Sequence, residues 1–275
     1  MKHTGREYKI LKKEFEKVEK SEFRIISRAK KRAAKGMDNN YLRNRIPQKT
    51  YDALEKAFEK AFKLIFEKGS GIIETTSGLE KIRCQSEKYE ESMNLMIHEG
   101  TINAIDKLAA ASGQNNKLIG TADGTILGVA GMGMPDIPIF LLILLKTCYS
   151  IGASYGFDYR KSEEKKFTMA ILKTAFSVGE EQIKYCKECN DFINMTTGQN
   201  NLDAQYYEVT EEDIKDISNV LATSMLVAKF IQGFTLLGIV GGAFNYRLVN
   251  KLTAVAKIEY KKRFLAKHLH RITND

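Results

Sequence analysis

The sequence predicts an all-α protein, a single multi-helix domain built around a central glycine-rich apolar helical hairpin. Apolar residues recur at helical spacing over most of the chain. Only three of the 275 residues are proline, and no segment of convincing length alternates apolar and polar residues as a half-buried strand does. Because Lys, Glu, Ala, Leu and Met favour helices and breaks are few, helix is the expected element nearly throughout.

The first 40 residues predict a basic amphipathic helix, which we separate from a helical domain at 41–275. Apolar residues between Tyr8 and Ala33 form one stripe among many lysines and arginines, over about residues 6–35. Such a helix either lies on a membrane with its lysines toward lipid phosphates or packs its stripe on the core. The sequence leaves both alternatives open.

Two further helices are predicted before the hairpin. One runs from about 48 to 67, and helical spacing returns over about 79–111, with one break near Cys84. The polar segment SGQNNK at 112–117 predicts a linker.

The hairpin is predicted from residues 118–145, LIGTADGTILGVAGMGMPDIPIFLLILL. A membrane-spanning helix needs about 20 apolar residues without charges, whereas two prolines around Asp136 interrupt this stretch. Two half-length helices fit better, at about 119–133 and 137–155. Asp136 would cap the second helix, and Pro138 is tolerated in a first turn.

Glycines spaced four residues apart predict a close contact between two helices. They are Gly120, Gly124 and Gly128 in the hairpin, and Gly238 and Gly242 at the start of the last helix. Since glycine has no side chain, two such faces allow backbones to approach closely, and the same spacing also occurs in membrane helices. A phosphate loop is not supported, because GxxxxGK[ST] is absent and no strand precedes the glycines.

The second half of the chain predicts three more helices. Ser162 is the expected N-cap of a helix that extends as far as Phe192. A Thr-x-x-Asp capping box at residue 210 opens a helix over about 211–231. The last helix spans about 235–270, beginning apolar and ending basic.

The charge is concentrated at the two ends. Residues 1–36 contain 13 Lys or Arg against 5 Glu, and residues 247–275 contain 8 against 2, so the segment between them sums to −5 of the total +9. Basic ends indicate an anionic partner, either phospholipid or nucleic acid, and a lysine-rich solubilising surface is the alternative. No nucleic-acid recognition motif accompanies the charge, which disfavours that partner. The start lacks the apolar region of a secretory signal, so we expect a cytoplasmic protein.

The motif GASYG fits the GxSxG pattern of a serine hydrolase, with Ser154 as the nucleophile. That motif requires a strand before the serine and a helix after it, whereas Ser154 is expected at the end of a helix closed by glycine. Triad partners in the usual chain order would be Asp191 or Asp203 and then His268 or His270. Both histidines are expected to be solvated.

No metal or cofactor is predicted. The CKEC motif at 186–189 is a single CxxC, and zinc would need two further ligands, for which Cys84 and His98 are not indicated by spacing. His98 and Glu99 lack the second histidine of HExxH.

Polar residues within the apolar part of the chain are the candidate site. A buried carboxylate must be paired, capped or hydrated. The candidate catalytic residues are Asp123 and Ser154, and the candidate binding residues are Asp136, Tyr155, Asp158 and Asn245. If the two glycine faces meet, these side chains would line one cleft.

Two blocks of the sequence resemble the EcsC protein family. GTILGVAGMGMPDIPIFLLILLKTCYSIGASYGFD is similar to its central pattern, a glycine-rich stretch followed by an Asp-Pro-like turn, an apolar helix and a closing YGFD or YGYD. KFIQGFTLLGIVGGAFNYRLVNKLTAVAKIEYKKRFL is similar to its C-terminal pattern. The likeness extends over about residues 45–265.

The resemblance implies a bacterial, largely helical, single-domain protein, and it supplies no active site. The family takes its name from a gene beside an ABC transporter. We therefore expect a protein peripheral on the inner face of the membrane, binding anionic lipid or a membrane protein such as an ABC transporter. A lipid-directed hydrolase with a pocket at the hairpin and a nucleic-acid binder are the alternatives. Whether the chain is an enzyme and how it oligomerises stay open.

Overall fold

The computed structural model describes residues 5–36, 47–67, 78–115, 136–198, 207–231 and 242–274, and within them the chain forms nine α-helices and no strand. The helices are α1 Gly5–Ala33, α2 Gln48–Glu67, α3 Leu79–Leu95, α4 Glu99–Asn115, α5 Asp136–Ser154, α6 Ser162–Phe176, α7 Gly179–Gly198, α8 Glu211–Ile231 and α9 Gly242–Asn274. The predicted all-α fold is confirmed.

Helices α5 and α9 form the centre of the molecule. Helix α5 packs against α2, α3, α4 and α9, and α9 also contacts α1, α6 and α7. Among the described helices, the Ile137–Ser154 segment of α5 is the one long and apolar enough to cross a membrane, with a mean hydropathy of 1.7, and 83% of it is buried inside the protein. Its apolar character is accounted for by core packing.

Helix α1 packs its apolar stripe on α7 and α9, so the core-packing alternative for this segment is confirmed. Its buried face is not purely apolar, because three glutamates lie on it. The buried residues are Glu7, Leu11, Glu14, Val18, Glu22 and Ala29. Glu14 and Glu22 on this face form buried ion pairs with lysines of α9 that are distant in the sequence.

The second half of the predicted hairpin is confirmed as a helix. Helix α5 begins at Asp136 and ends at Ser154, with Pro138 in its first turn, where a missing N–H is not needed. The predicted first half of the hairpin falls outside the described residues. Gly120, Gly124, Gly128 and Gly238 lie outside them too, and Gly242 is the first residue of α9.

Two other glycines allow α9 to approach its neighbours closely. A Cβ atom on Gly152 of α5 would lie 2.7 Å from Cζ of Tyr260, and one on Gly113 of α4 would lie 2.6 Å from Cγ2 of Thr253. Neither distance is sterically allowed. Close glycine contacts therefore occur in the core at Gly113 and Gly152, which do not belong to the predicted GxxxG faces.

Replacing Gly152 with alanine should lower the free energy of unfolding by about 1–3 kcal/mol, the usual cost of overpacking a core. Tyr260 is fully buried and has little room to move. Gly100→Ala is the matched control, because a Cβ there meets nothing within 4 Å and alanine favours the helix. Denaturant unfolding measures both variants, and an equal effect of the two substitutions would contradict the packing described.

Two predicted boundaries in the first half of the chain are wrong. The break falls at residues 96–98 rather than near Cys84, with Met96 extended after α3. Residues 112–115 of the predicted linker belong to α4. Polar Ser112 is tolerated there because its hydroxyl donates to the carbonyl of Leu108 at 2.8 Å.

In the second half of the chain, the structure differs from the prediction at one helix break and at one helix N-cap. The helix expected to reach Phe192 is interrupted after Phe176, and α7 begins at Gly179 with a left-handed φ of 62°. Lys161 occupies the N-cap of α6, so Ser162 is its first helical residue.

The predicted capping box of α8 is confirmed. The amide of Asp213 donates to Oγ1 of Thr210 at 3.1 Å, and the amide of Thr210 donates to Oδ2 of Asp213 at 2.9 Å. The reciprocal pair of bonds satisfies two backbone donors at the start of the helix.

Candidate functional site

The YGFD segment closes α5 with a glycine turn. Gly156 has a φ of 82°, its amide donates to the carbonyl of Ala153, and the amide of Phe157 donates to that of Gly152, each at 3.0 Å. This pair of bonds defines a Schellman motif, which requires a residue that accepts the left-handed conformation. Gly156 is thus a helix C-cap, as predicted.

Ser154 lies in the last turn of α5 and is buried. Its hydroxyl donates to the carbonyl of Ser150 at 2.8 Å and lies 3.2 Å from Oγ of Ser112. A nucleophile elbow needs a serine exposed at a sharp turn between a strand and a helix. The surroundings of Ser154 do not provide that geometry.

Tyr155 connects α5 to a buried charge network. Its hydroxyl donates to Oδ1 of Asp106 at 2.8 Å, and Lys261 bridges Asp106 and Glu14 at 2.7 and 2.8 Å. Burial and the neighbouring Asp106 raise the pKa of Tyr155 well above its usual value. Tyr155 therefore stays protonated and links α5, α4, α9 and α1.

A cleft of about 700 Å³ opens beside the YGFD turn, between the C-terminal parts of α7 and α9. Its charged lining residues are Lys161, Arg263, Lys267 and Arg271, with Asp158 and Glu163. Asp158 is paired with Arg160 at 2.8 Å, and this contact holds the pKa of its carboxyl below the usual range. The excess of cations suits an anionic ligand.

His268 lies on the wall of this cleft and is fully buried, so the prediction that it is solvated is wrong. Its ring packs edge-on against Phe264, and its Nε2 lies 3.3 Å from Oε2 of Glu90, although neither ring nitrogen makes a hydrogen bond of normal geometry within the described residues. Burial lowers the pKa of His268, and Glu90 opposes this effect. His270 is exposed, as predicted.

Glu90 remains ionised although it is partly buried. Burial raises the pKa of Glu90, but His268 and Lys267 outweigh this effect and lower it to about 2. The carboxylate therefore balances part of the positive charge at this end of α9.

The outward surface of α1 is strongly cationic. All twelve Lys and Arg residues of 5–36 are exposed, against only two exposed glutamates, Glu16 and Glu19. The other three glutamates of this segment face the core. Phe23 is 66% exposed within this basic surface. Because most glutamates of this segment are buried and all its lysines and arginines are exposed, the outward surface of α1 is positively charged.

Three candidate side chains cannot be placed in a cleft. Asp123 lies outside the described residues. Asp136 opens α5 and Asn245 lies in the first turn of α9, but the described side chains include neither.

The cysteines are free thiols, and Cys186 and Cys189 lie buried on α7, in a segment predicted to be helical. Cys84 is exposed on α3. His98 immediately precedes α4, and Glu99 is its first residue, where Glu99 pairs with Lys13 at 2.8 Å.

Sequence reasoning missed Glu90, Glu164 and the buried glutamates of α1. A positional clue existed for His268, which follows the core residue Phe264 by four positions and so shares its face of α9. Glu14 and Glu22 carry the same clue, because helical spacing places them on the face of Leu11 and Val18.

Comparison with known proteins gives two curated relatives from Bacillus subtilis (strain 168). Protein EcsC is 27% identical over 225 residues, which cover 80% of this chain and 81% of that protein. The uncharacterized protein YdbA is 27% identical over 241 residues, covering 82% and 85%. No solved structure matches the chain.

The family match extends further toward the N-terminus than the sequence blocks suggested. The EcsC protein family profile covers residues 9–265, which include most of α1, whereas the resemblance was expected from about residue 45. Since this match spans nearly the whole sequence, the chain belongs to the EcsC protein family.

Proposed function

We propose that this protein binds peripherally to the inner face of the bacterial cell membrane, docking on anionic lipid through its two basic ends. The observation that carries the proposal is an exposed apolar corner held between those ends. Leu95 and Met96, where α3 meets α4, are 77% and 53% exposed.

Hydrogen bonds tie this corner to both ends of the chain. The amide of Ile97 donates to Oε1 of Glu7 in α1 at 3.1 Å. On the other side, Nη2 of Arg271 in α9 donates to the carbonyl of Met93 at 3.2 Å. Exposed apolar side chains flanked by cations suit an interface where lipid phosphates lie above acyl chains.

The basic surface of α1 would act through its charge. Its apolar stripe is already packed on the core, so this helix is not available to lie in the lipid interface on its apolar face. Each Lys or Arg near an anionic membrane contributes about 1 kcal/mol, and salt screens this attraction. Phe23 adds an exposed aromatic ring among the cations.

The same surface would also suit an acidic face of a membrane protein such as a transporter. Binding to vesicles that contain no protein distinguishes lipid from a membrane protein as the partner. The buried, helical position of Ser154 lends no support to a hydrolase. Nucleic acid shares the attraction to cations but gains nothing from an exposed Leu–Met pair.

We expect sedimentation with phosphatidylglycerol vesicles at low salt, little sedimentation with phosphatidylcholine vesicles, and release at high salt. Exchanging Leu95 and Met96 for serine should weaken binding roughly tenfold or more, because inserted apolar surface is lost. Cys84→Ser with Gln85→Ser is the matched control, since both residues are exposed on the same helix.

Absence of vesicle binding at low salt would remove the proposal. Equal weakening by the two double variants would remove the role of the corner. Displacement of the vesicles by DNA at equal phosphate concentration would favour the nucleic-acid alternative instead.

A further inference from the structure

Three buried side chains meet where α1, α7 and α9 pack together. Glu22, Cys186 and Glu259 each contribute one atom to a group whose members all lie within 4.8 Å of one another. Sγ of Cys186 is 3.3 Å from Oε1 of Glu22. Two carboxylates and a thiol in this arrangement can act together as ligands.

Glu259 is a buried carboxyl whose place in the core is not explained by hydrogen bonds to the described residues. It is fully buried, and neither of its carboxylate oxygens has a hydrogen-bond partner among the described residues. Burial, reinforced by Glu22, raises the pKa of Glu259 to about 8. A buried carboxyl without a partner is costly, and it faces the other two members of the group.

Two neighbours orient Glu22 within the group. Lys262 forms an ion pair with Oε2 of Glu22 and donates to Oδ1 of Asn190 at 2.6 Å. Nδ2 of Asn190 in turn donates to Oε1 of Glu22 at 2.8 Å. Such supporting hydrogen bonds are typical around metal ligands, where they fix the orientation of a carboxylate.

We propose that Glu22, Cys186 and Glu259 form a binding site for a divalent cation of the zinc type. A thiolate with two carboxylates suits borderline cations such as Zn²⁺, whereas Mg²⁺ and Ca²⁺ prefer oxygen ligands alone. Tetrahedral zinc places its ligand atoms about 3.5 Å apart. The Cys186–Glu22 pair already has about this spacing, and all three ligand atoms lie within 4.8 Å of one another.

The charges balance with and without the cation. In the metal-free protein, Glu22 and Lys262 neutralise each other, while Glu259 and Cys186 keep their protons, since burial raises the pKa of both groups. A bound divalent cation would replace those two protons. Its two positive charges then offset the new carboxylate and thiolate, so no net charge is added to the interior.

Cobalt substitution tests the site directly. We expect the full-length, chelator-treated protein to bind one Co²⁺ and to show a near-ultraviolet thiolate-to-cobalt absorption band that Zn²⁺ abolishes by displacement. Cys186→Ser should remove this band. Cys189→Ser, three residues later on the same helix and equally buried, should retain it.

Glu259→Gln tests the carboxylate without a change in size. Loss of a direct ligand should weaken Co²⁺ binding by at least the roughly 10- to 100-fold that substitution of supporting residues costs. Zn²⁺ should raise the unfolding temperature of the wild type but not that of Glu259→Gln, and Mg²⁺ should affect neither. Circular dichroism confirms that each variant is folded before titration.

The proposal fails if Co²⁺ gives no thiolate band with the wild type, or if Cys189→Ser abolishes the band while Cys186→Ser does not. It also fails if Glu259→Gln binds Co²⁺ with wild-type affinity.

Discussion

Replacing Arg263 with methionine should lower the free energy of unfolding by about 3–5 kcal/mol at neutral pH, because it removes one partner of a buried ion pair. Arg263 pairs with the buried Glu164 and lies over the rings of Phe157, Phe167 and Phe192, at 4.3, 4.9 and 5.2 Å from their centroids. Methionine preserves much of the packing but leaves Glu164 without its cation.

The loss of stability in Arg263→Met should increase as the pH rises. Burial raises the pKa of Glu164 above its ordinary value of 4.5, and Arg263 opposes this effect. Without the arginine, the folded protein must keep the carboxyl protonated or leave a charge in an apolar site. The destabilisation should therefore be small below about pH 4.5 and grow as the pH rises.

Denaturant unfolding at pH 4 and pH 8 measures this effect. The double variant Arg263→Met with Glu164→Gln should recover much of the stability, since no buried charge remains. Arg83→Met, which breaks exposed pairs with Glu80 and Glu87, is the control and should change the stability little. An Arg263→Met variant no less stable than Arg83→Met would contradict the buried pair.

Neutralising four cations on the outward side of α1 should nearly abolish binding to anionic vesicles. Lys9, Lys20, Arg24 and Lys31 are exposed, and helical spacing places them opposite the buried Val18. At about 1 kcal/mol for each charge, replacing all four with glutamine should weaken binding by a factor on the order of 100 to 1,000. The slope of affinity against salt concentration should fall as well.

The control for this variant carries the same change in net charge. Lys56 and Lys60 on α2, Lys81 on α3 and Lys215 on α8 are also exposed, and replacing them with glutamine leaves α1 intact. If the two quadruple variants lose the same affinity, attraction follows total charge and the α1 surface has no special role. If only the α1 variant loses affinity, the docking surface is located.

The elements predicted well are those whose sequence carries its own boundaries. The bounds of α2 agree with the predicted 48–67, and α8 opens at a capping box that uses two neighbouring residues. The break at 96–98 was misplaced because no proline or glycine marks it. Met96 is extended there because the chain turns to pack α4 on α5.

The polar interior could not be predicted, because its partners are distant in sequence. Glu22 meets Lys262 across 240 residues, and Glu164 meets Arg263 across 99. Helical spacing places Glu22 on the same face of α1 as Leu11 and Val18, but its partner Lys262 lies on α9 and leaves no local signal in the sequence. The same long-range packing brings Glu22 and Glu259 to Cys186, whereas CKEC alone suggested no further metal ligands.

Partition of the unaltered protein in fractionated cells tests membrane docking most directly. The basic ends and the exposed Leu95–Met96 corner predict that the protein sediments with membranes at low ionic strength and is released by high salt. A protein that stays in the supernatant at low ionic strength, or that leaves the membrane only in detergent, would contradict electrostatic peripheral binding.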